Sequence, residues 1–429
     1  MAKFIAVIFT AIITSFYFFP FEFTFLPGVN TKMAMAVVGI AISVYRLCVK
    51  RNTIIPKNVF IVSLLAGIVS LIGLVSITYN NTVDYAYASY LISMWVWLSA
   101  ALVVCTLIER VHGKLSVPLI CHYLIAVSVT QCMLALLIDF NPAVKDVVDT
   151  YISQDQEFLN KVERIYGIGA WLDVAGSRFS ACLIMIAYLV YQAKEELTTK
   201  QIWAYFIAYA IIVVVGNMMA RTTSVGIVVG IFFFAVITKP WSTSISQSSW
   251  RLLKNFLLLL AIAIPVVYVL YTTNDQFYKL FRFAFEAFFN YFEHGEFETS
   301  STNTLQTMYV FPETFKTWLI GDGYFSSPGS DPYYFGKLVG GYYMGTDVGY
   351  LRFIFFFGVP GLIAFSSFII YSAQTVMSKL PNYKTMFALL LLSNFMIWLK
   401  VATDLFLIFA LFICVVNLRE DEEENALQT

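Results

Sequence analysis

Thr346-Asp347-Val348-Gly349-Tyr350-Leu351-Arg352 runs without a break into the apolar stretch Phe353 to Tyr371. Ahead of it lies a long polar and aromatic segment, Thr272 to Gly345, and nearly everything else in the chain is apolar runs joined by short connections. A run of this length reads as a membrane-crossing helix, since one span needs about 17 to 25 predominantly apolar residues. The segment 272–347 is then the one place with enough chain outside the membrane to shape a site. A carboxylate, Asp347, and a guanidinium, Arg352, stand where it re-enters the apolar phase.

Composition agrees. The 429 residues are 59% hydrophobic and 13% charged, with a mean hydropathy of +0.75, whereas soluble domains carry about 25% charged residues. The sequence therefore reads as an all-α polytopic membrane protein. Its formal net charge of zero points to no nucleic-acid partner. Cys48, Cys105, Cys121, Cys132, Cys182 and Cys414 fall in or beside apolar runs with no CxxC pair, which argues against a disulfide framework and a thiolate zinc site. His112, His122 and His294 are scattered, so no metal site and no cofactor is expected.

About twelve spans are expected, at 4–20, 33–49, 59–78, 87–108, 116–138, 177–192, 202–220, 223–238, 254–271, 348–372, 385–400 and 402–417. The first reads as a retained helix, because no small-residue cleavage site follows it. With both termini in the cytoplasm, the inner connections hold Lys3, the Arg46 to Lys57 cluster, Arg110, Lys114, Lys194, Lys200, Lys239, Arg251, Lys254, Lys379, Lys384 and Arg419. The short outer connections hold only Lys32, Arg221 and Lys400. This asymmetry follows the positive-inside rule and puts the loops 139–176 and 272–347 outside. The organisation is then nine spans over 1–271, the long loop 272–347, and three spans with an acidic cytoplasmic tail over 348–429.

Charges near hydrocarbon are costly, about 2.5 kcal/mol or more at a span centre, so each needs a partner or a purpose. Arg164, Arg178, Arg221 and Arg352 all fall on the outer side of this topology. A guanidinium fork fits phosphate oxygens in a bidentate way and keeps its charge, so the group suggests a lipid-linked phosphate or diphosphate. Taken singly, each is equally explained by snorkelling to headgroups or by pairing with Asp173, Asp347 or Asp404. Gly167, Gly169 and Gly176 could let backbone approach a ligand, or could be turn residues.

Asp347 has two readings. It can cap the helix that follows, with Thr346 beside it, or it can accept a proton from a sugar hydroxyl. Within the long loop, Phe277, Leu280, Phe281, Phe285, Phe288 and Phe292 recur at helical spacing over Asp275 to Phe292, which predicts an amphipathic helix at the membrane interface or over a groove. Tyr333, Tyr334, Phe335, Tyr342 and Tyr343 add ring faces on which sugars stack, or that belong to an aromatic belt. His294 is the outer histidine, in an exposed-looking stretch.

This combination resembles the bacterial O-antigen polymerases of the Wzy type and the related O-antigen ligases. The likeness is carried by Arg164-x-x-Gly167 in the medium outer loop, by Trp318-Leu319-Ile320-Gly321-Asp322-Gly323 in the long one, and by Asp347-Val348 followed, nine residues on, by Gly358-Val359-Pro360-Gly361. The ligases carry His-Asn where Asp347-Val348 stands, and Asp suits the polymerases. The resemblance implies a GT-C-like glycosyltransferase acting on undecaprenyl diphosphate-linked repeat units at the periplasmic face of the inner membrane. By it, Arg164, Arg178 and Arg221 hold the diphosphate, Asp347 acts as base or orients the acceptor hydroxyl with Arg352 holding its charge, and neither nucleotide sugar nor obligatory metal is needed. Tyr342, Tyr343 and His294 are further glycan-binding candidates, and a chain-length regulator is a candidate partner. A ligase and a lipid-linked oligosaccharide flippase are the rival functions.

Overall fold

The computed structural model describes residues 2–49, 56–154, 159, 164–238, 247–330 and 341–428. Tyr333, Tyr334, Phe335, Gly340, Lys50, Arg51, Lys161 and Lys239 lie outside the described residues. The fold is helical throughout: α1 Ala2–Phe18, α2 Thr31–Val49, α3 Lys57–Asn80, α4 Tyr90–His112, α5 Val117–Phe140, α6 Pro142–Tyr151, α7 Leu172–Gln192, α8 Thr199–Met219 and α9 Ser224–Thr238. Then come α10 Gln247–Thr273, α11 Asp275–Ala284, α12 Glu286–His294, α13 Ser300–Thr307, α14 Phe315–Leu319, α15 Gly349–Lys379, α16 Lys384–Ile397 and α17 Phe406–Gln428. Each of the twelve expected spans falls on one of these helices. Among the described residues eight are long and apolar enough to cross a membrane.

The chain forms two compact units, each discontinuous in sequence: Met1–Thr31 with Leu115–Glu298, and Lys32–Lys114 with Thr299–Thr429. In the first, α7 is the most buried helix and packs against α5, α8 and α9. The strand Glu22–Phe23 pairs antiparallel with Ile152–Ser153 and helps to close a small core of Phe21, Ile138, Val148, Ile152, Leu159 and Tyr166 beneath the medium loop. In the second unit α15 takes the central place, against α3, α14, α16 and α17.

Helix α15 is interrupted at Phe357–Gly358, where Gly358 takes φ +70°. An interruption frees carbonyls that lipid cannot satisfy, so protein must reach them. The motif Trp318 to Gly323 does so: the Asp322 N–H donates to the Phe355 carbonyl at 2.6 Å and the Gly323 N–H to that of Phe356 at 3.2 Å. The Ser76 hydroxyl adds a third bond, to Phe356 O at 2.6 Å. Contact is backbone to backbone on both sides. A Cβ on Gly321 would sit 2.5 Å from the Phe356 carbonyl oxygen, and one on Gly358 would sit 2.5 Å from that of Leu319. The two motif segments of the resemblance thus form one structural joint.

Two local expectations change. The amphipathic stretch 275–292 is two helices, broken where Phe285 leaves helical geometry. Asp347 does not cap α15: the residue before the helix is Val348, and no side chain caps it. The hydroxyl of buried Thr346 instead accepts from the Val348 N–H at 3.3 Å.

Candidate functional site

In the first unit, the loop from Arg164 to Trp171 is fastened from below. Gln131 accepts from the Ile168 N–H at 2.9 Å and donates to Ser15 at 3.0 Å. Gly169, at φ +69°, lies against the Phe19 carbonyl, while Gly167 and Gly176 abut Gln131 and Ala220. These glycines serve close packing of chain on chain. Arg164 emerges from this anchored loop half-buried, its guanidinium over the Phe283 ring at 5.0 Å.

Arg221 meets the same ring. It lies in the short turn Arg221–Thr223 between α8 and α9, and its guanidinium sits 4.1 Å from the Phe283 centroid. Its Nε donates to the Phe283 carbonyl at 3.0 Å, and its fork pairs with Glu286 at the start of α12. Two guanidiniums from distant parts of the sequence are therefore gathered by one aromatic residue at the α11–α12 elbow, the quadrupole of the ring offsetting part of their repulsion. Among the described residues no carboxylate lies within ion-pair distance of Arg164, in contrast to Arg221.

Arg178, on α7, is only 6% exposed and lies over Phe19 at 5.5 Å. It packs on Phe19, the residue that follows α1. Five residues ahead of it, Asp173 accepts the Thr222 hydroxyl, which ties the start of α7 to the Arg221 turn.

A cavity of about 300 Å³ opens beside Arg164. Among the described residues, Lys145 from α6, Lys279 from α11, Arg164 and the carboxylate of Asp139 line it. Gln276 donates to Asp139 at 2.5 Å, and Tyr166 donates to Asp149 at 2.7 Å. Burial and the Asp149 carboxylate push the Tyr166 hydroxyl up from its ordinary value, so it stays a neutral donor. Sequence reasoning missed Lys145. Lys279 likewise does not stand out, because residues 145, 164 and 279 share no pattern in the linear chain.

His294 is placed elsewhere. It ends α12 with 67% of its side chain exposed, 3.9 Å from Glu293. Glu293 itself takes both arms of Arg282 at 2.7 and 2.5 Å. The bidentate Arg282 holds Glu293 below the usual carboxylate range, and Glu293 in turn raises Arg282.

In the second unit, Arg352 is 5% exposed and clamped between Phe325 at 3.7 Å and Tyr342 at 3.6 Å. One arm donates to the Phe325 carbonyl at 3.0 Å, and another lies 3.8 Å from Asp347. Asp84 accepts the N–H groups of Phe325 and Ser326 at 2.8 and 2.9 Å. Ser326 bridges to Tyr342 across the base of the loop between them. Tyr342 is thus a face of the Arg352 clamp. Tyr343 packs on Tyr324 and reaches Asp322 at 3.3 Å, where Lys316 and Thr317 also donate, at 2.7 and 2.9 Å. Asp347 keeps 21% of its side chain exposed. Asp322, quoted only inside a motif, is the residue here whose bonding the sequence did not foretell.

The structure brings Arg164 and Arg221 together in one unit and Asp347, Arg352 and Tyr342 together in the other. No family model, curated protein or solved structure matches the chain.

Proposed function

We propose that the chain is a glycosyltransferase of the GT-C-like kind that polymerises a bacterial surface glycan, joining undecaprenyl diphosphate-linked repeat units at the periplasmic face of the inner membrane. All twelve expected spans cross the bilayer in this reading, with both termini cytoplasmic. The observation that carries it is the pair of guanidiniums, Arg164 and Arg221, held on Phe283 beside a cavity with two further cations. Guanidiniums gathered on one ring suit a diphosphate, whose charge grows as the glycosyl bond breaks. Arg178, which the resemblance also assigns to the diphosphate, lies instead on Phe19.

In the reaction, the bond from the donor's anomeric carbon to diphosphate oxygen breaks and its electron pair leaves with undecaprenyl diphosphate. A hydroxyl of the acceptor sugar forms the new bond to that carbon, and its proton passes to a general base, the role that the resemblance gives to Asp347. Arg352 lies 3.8 Å from Asp347 as its charge partner. No metal or nucleotide enters this balance.

Deleting the protein should leave cells with single repeat units on lipid A core, a one-step band in place of a ladder on a gel. A persistent ladder would remove the polymerase reading. Loss of every glycan band, the single unit included, would identify a ligase.

A further inference from the structure

We infer that the aromatic half of α12 is a membrane-contact surface, seated in the lipid interface beside the end of α10, while α11 covers protein. The inference goes beyond the glycan reading above and does not rest on it. It decides between the two places, membrane interface or groove, that fit the apolar spacing of residues 275–292.

Three observations support it. The first is where α12 lies. Helix α10 is long and apolar enough to cross a membrane and has no buried residue, so lipid covers it along its length. Tyr271, in its last turn, lies 4.7 Å from the Tyr278 ring of α11 and stacks on Phe289 of α12 at 5.8 Å and 6°. The stack holds α12 against the end of a lipid-covered helix, the depth at which hydrocarbon gives way to headgroups.

The second is an inversion of its two faces. At about 100° per residue, Phe288, Phe289, Tyr291 and Phe292 fall in one half of α12, and Glu286, Asn290, Glu293 and His294 in the other. A helix of this pattern in a soluble protein turns its apolar half to the core and its polar half to water. Here the protein holds the polar half. Glu286 pairs with Arg221, Glu293 takes both arms of Arg282, and Asn290 donates to the Glu298 carbonyl at 2.9 Å. Phe288, Tyr291 and Phe292 are left outward, 55, 53 and 82% exposed. Helix α11 differs: it buries Leu280 and Ala284 and packs on α8.

The third is that the outward rings form one patch. Gly295 ends α12 at φ +77°, and the chain returns so that exposed Phe297 meets Phe288 edge-on at 5.6 Å and Tyr291 at 6.4 Å. Tyr291 also meets Phe292 at 5.6 Å. Such an exposed cluster marks a protein or membrane contact. Continuity with α10 commits it to lipid, where Phe and Tyr rings sit at the headgroup level. The exposed neighbours Glu296 and Glu298 are acidic, so the surface it fits is zwitterionic lipid, held by ring burial and not by charge.

The test uses the full-length chain carrying Cys48→Ser, whose remaining cysteines are buried. It is spin-labelled at Phe288→Cys, Phe292→Cys or His294→Cys and reconstituted in phosphatidylcholine bilayers. Power saturation reads the access of each label to oxygen, which concentrates in lipid, and to nickel(II) ethylenediaminediacetate, which stays in water. The ratio of oxygen to nickel access should be several-fold higher at positions 288 and 292 than at 294, on the polar half. Equal ratios at all three place the rings in water and overturn the inference. Labels at 288 and 292 that are closed to both reagents overturn it in favour of a protein neighbour, and dipolar broadening between labels then identifies a second copy. The two ring positions keep the test decisive if one label disturbs the helix, and thermal melting of each variant shows whether it has. The result is independent of the gel ladder: a ladder that persists on deletion removes the polymerase reading and leaves this contact surface standing.

Discussion

Arg164 and Arg352 are both guanidiniums stacked on aromatic rings, and the difference between their settings is instructive. Arg352 has a ring on each face, a carbonyl on one arm and a carboxylate near another. Arg164 has one ring, an open cavity and two lysines for neighbours. The first arrangement is closed and serves to hold backbone in place. The second leaves bonding capacity for something that arrives. A cation–π contact alone therefore does not mark a binding residue; what surrounds the remaining arms decides.

The contrast can be broken at several points. The largest effect on stability is expected in the second unit at Gly358→Val, which forces a side chain into left-handed geometry and against the Leu319 carbonyl. It should cost on the order of 4 kcal/mol, visible as loss of folded protein after detergent extraction. Arg352→Ala should follow at about 2 to 3 kcal/mol, from the emptied clamp and the Asp347 charge left behind, read as a lower melting midpoint. If Arg352→Ala melts like wild type, the closed setting described here is wrong.

Arg164→Ala should change stability by less than about 0.5 kcal/mol, read as a nearly unchanged melting midpoint, yet shorten the glycan ladder strongly. Arg164→Lys should rescue it only in part, because an ammonium lacks the fork. Glu286→Gln should cost about 1 kcal/mol through the partly buried pair with Arg221, and should leave diphosphate affinity equal or higher, since a competing carboxylate is gone.

The smallest effect is one of pH. Glu293 has a depressed value in the folded chain, so its pairing with Arg282 favours the fold above the unfolded carboxylate value of about 4.3. That contribution is lost as pH falls through the lower folded value. Proteolysis of the α11–α12 hairpin should therefore quicken in wild type as the pH is brought below about 4.3, and Glu293→Gln should remove this pH dependence.

The helices could be read from the sequence because lipid imposes long apolar runs, and each run of Phe, Leu, Ile and Val stands where a helix was expected. Arg164 and Arg221 were visible as outer charges, but their meeting on Phe283 depends on a break at Phe285 that periodicity cannot show, since the apolar spacing continues across it. Asp347 looked like a cap because carboxylates often precede helices. Thr346 took the local bond instead, and Val348 became the boundary. The motif Trp318 to Gly323 carried a sign of its role in Gly321 and Gly323, but which backbone they approach is a tertiary fact.

The break at Phe357–Gly358 bears on how this chain can be re-engineered. Because carbonyls inside a span are satisfied by residues 322 and 323, the stretch before α15 is not a detachable module sitting on a finished bundle. A chimera that exchanges residues 299–345 for a foreign loop of equal length would expose those carbonyls to lipid, and should be rejected by cellular quality control unless α15 is exchanged along with it.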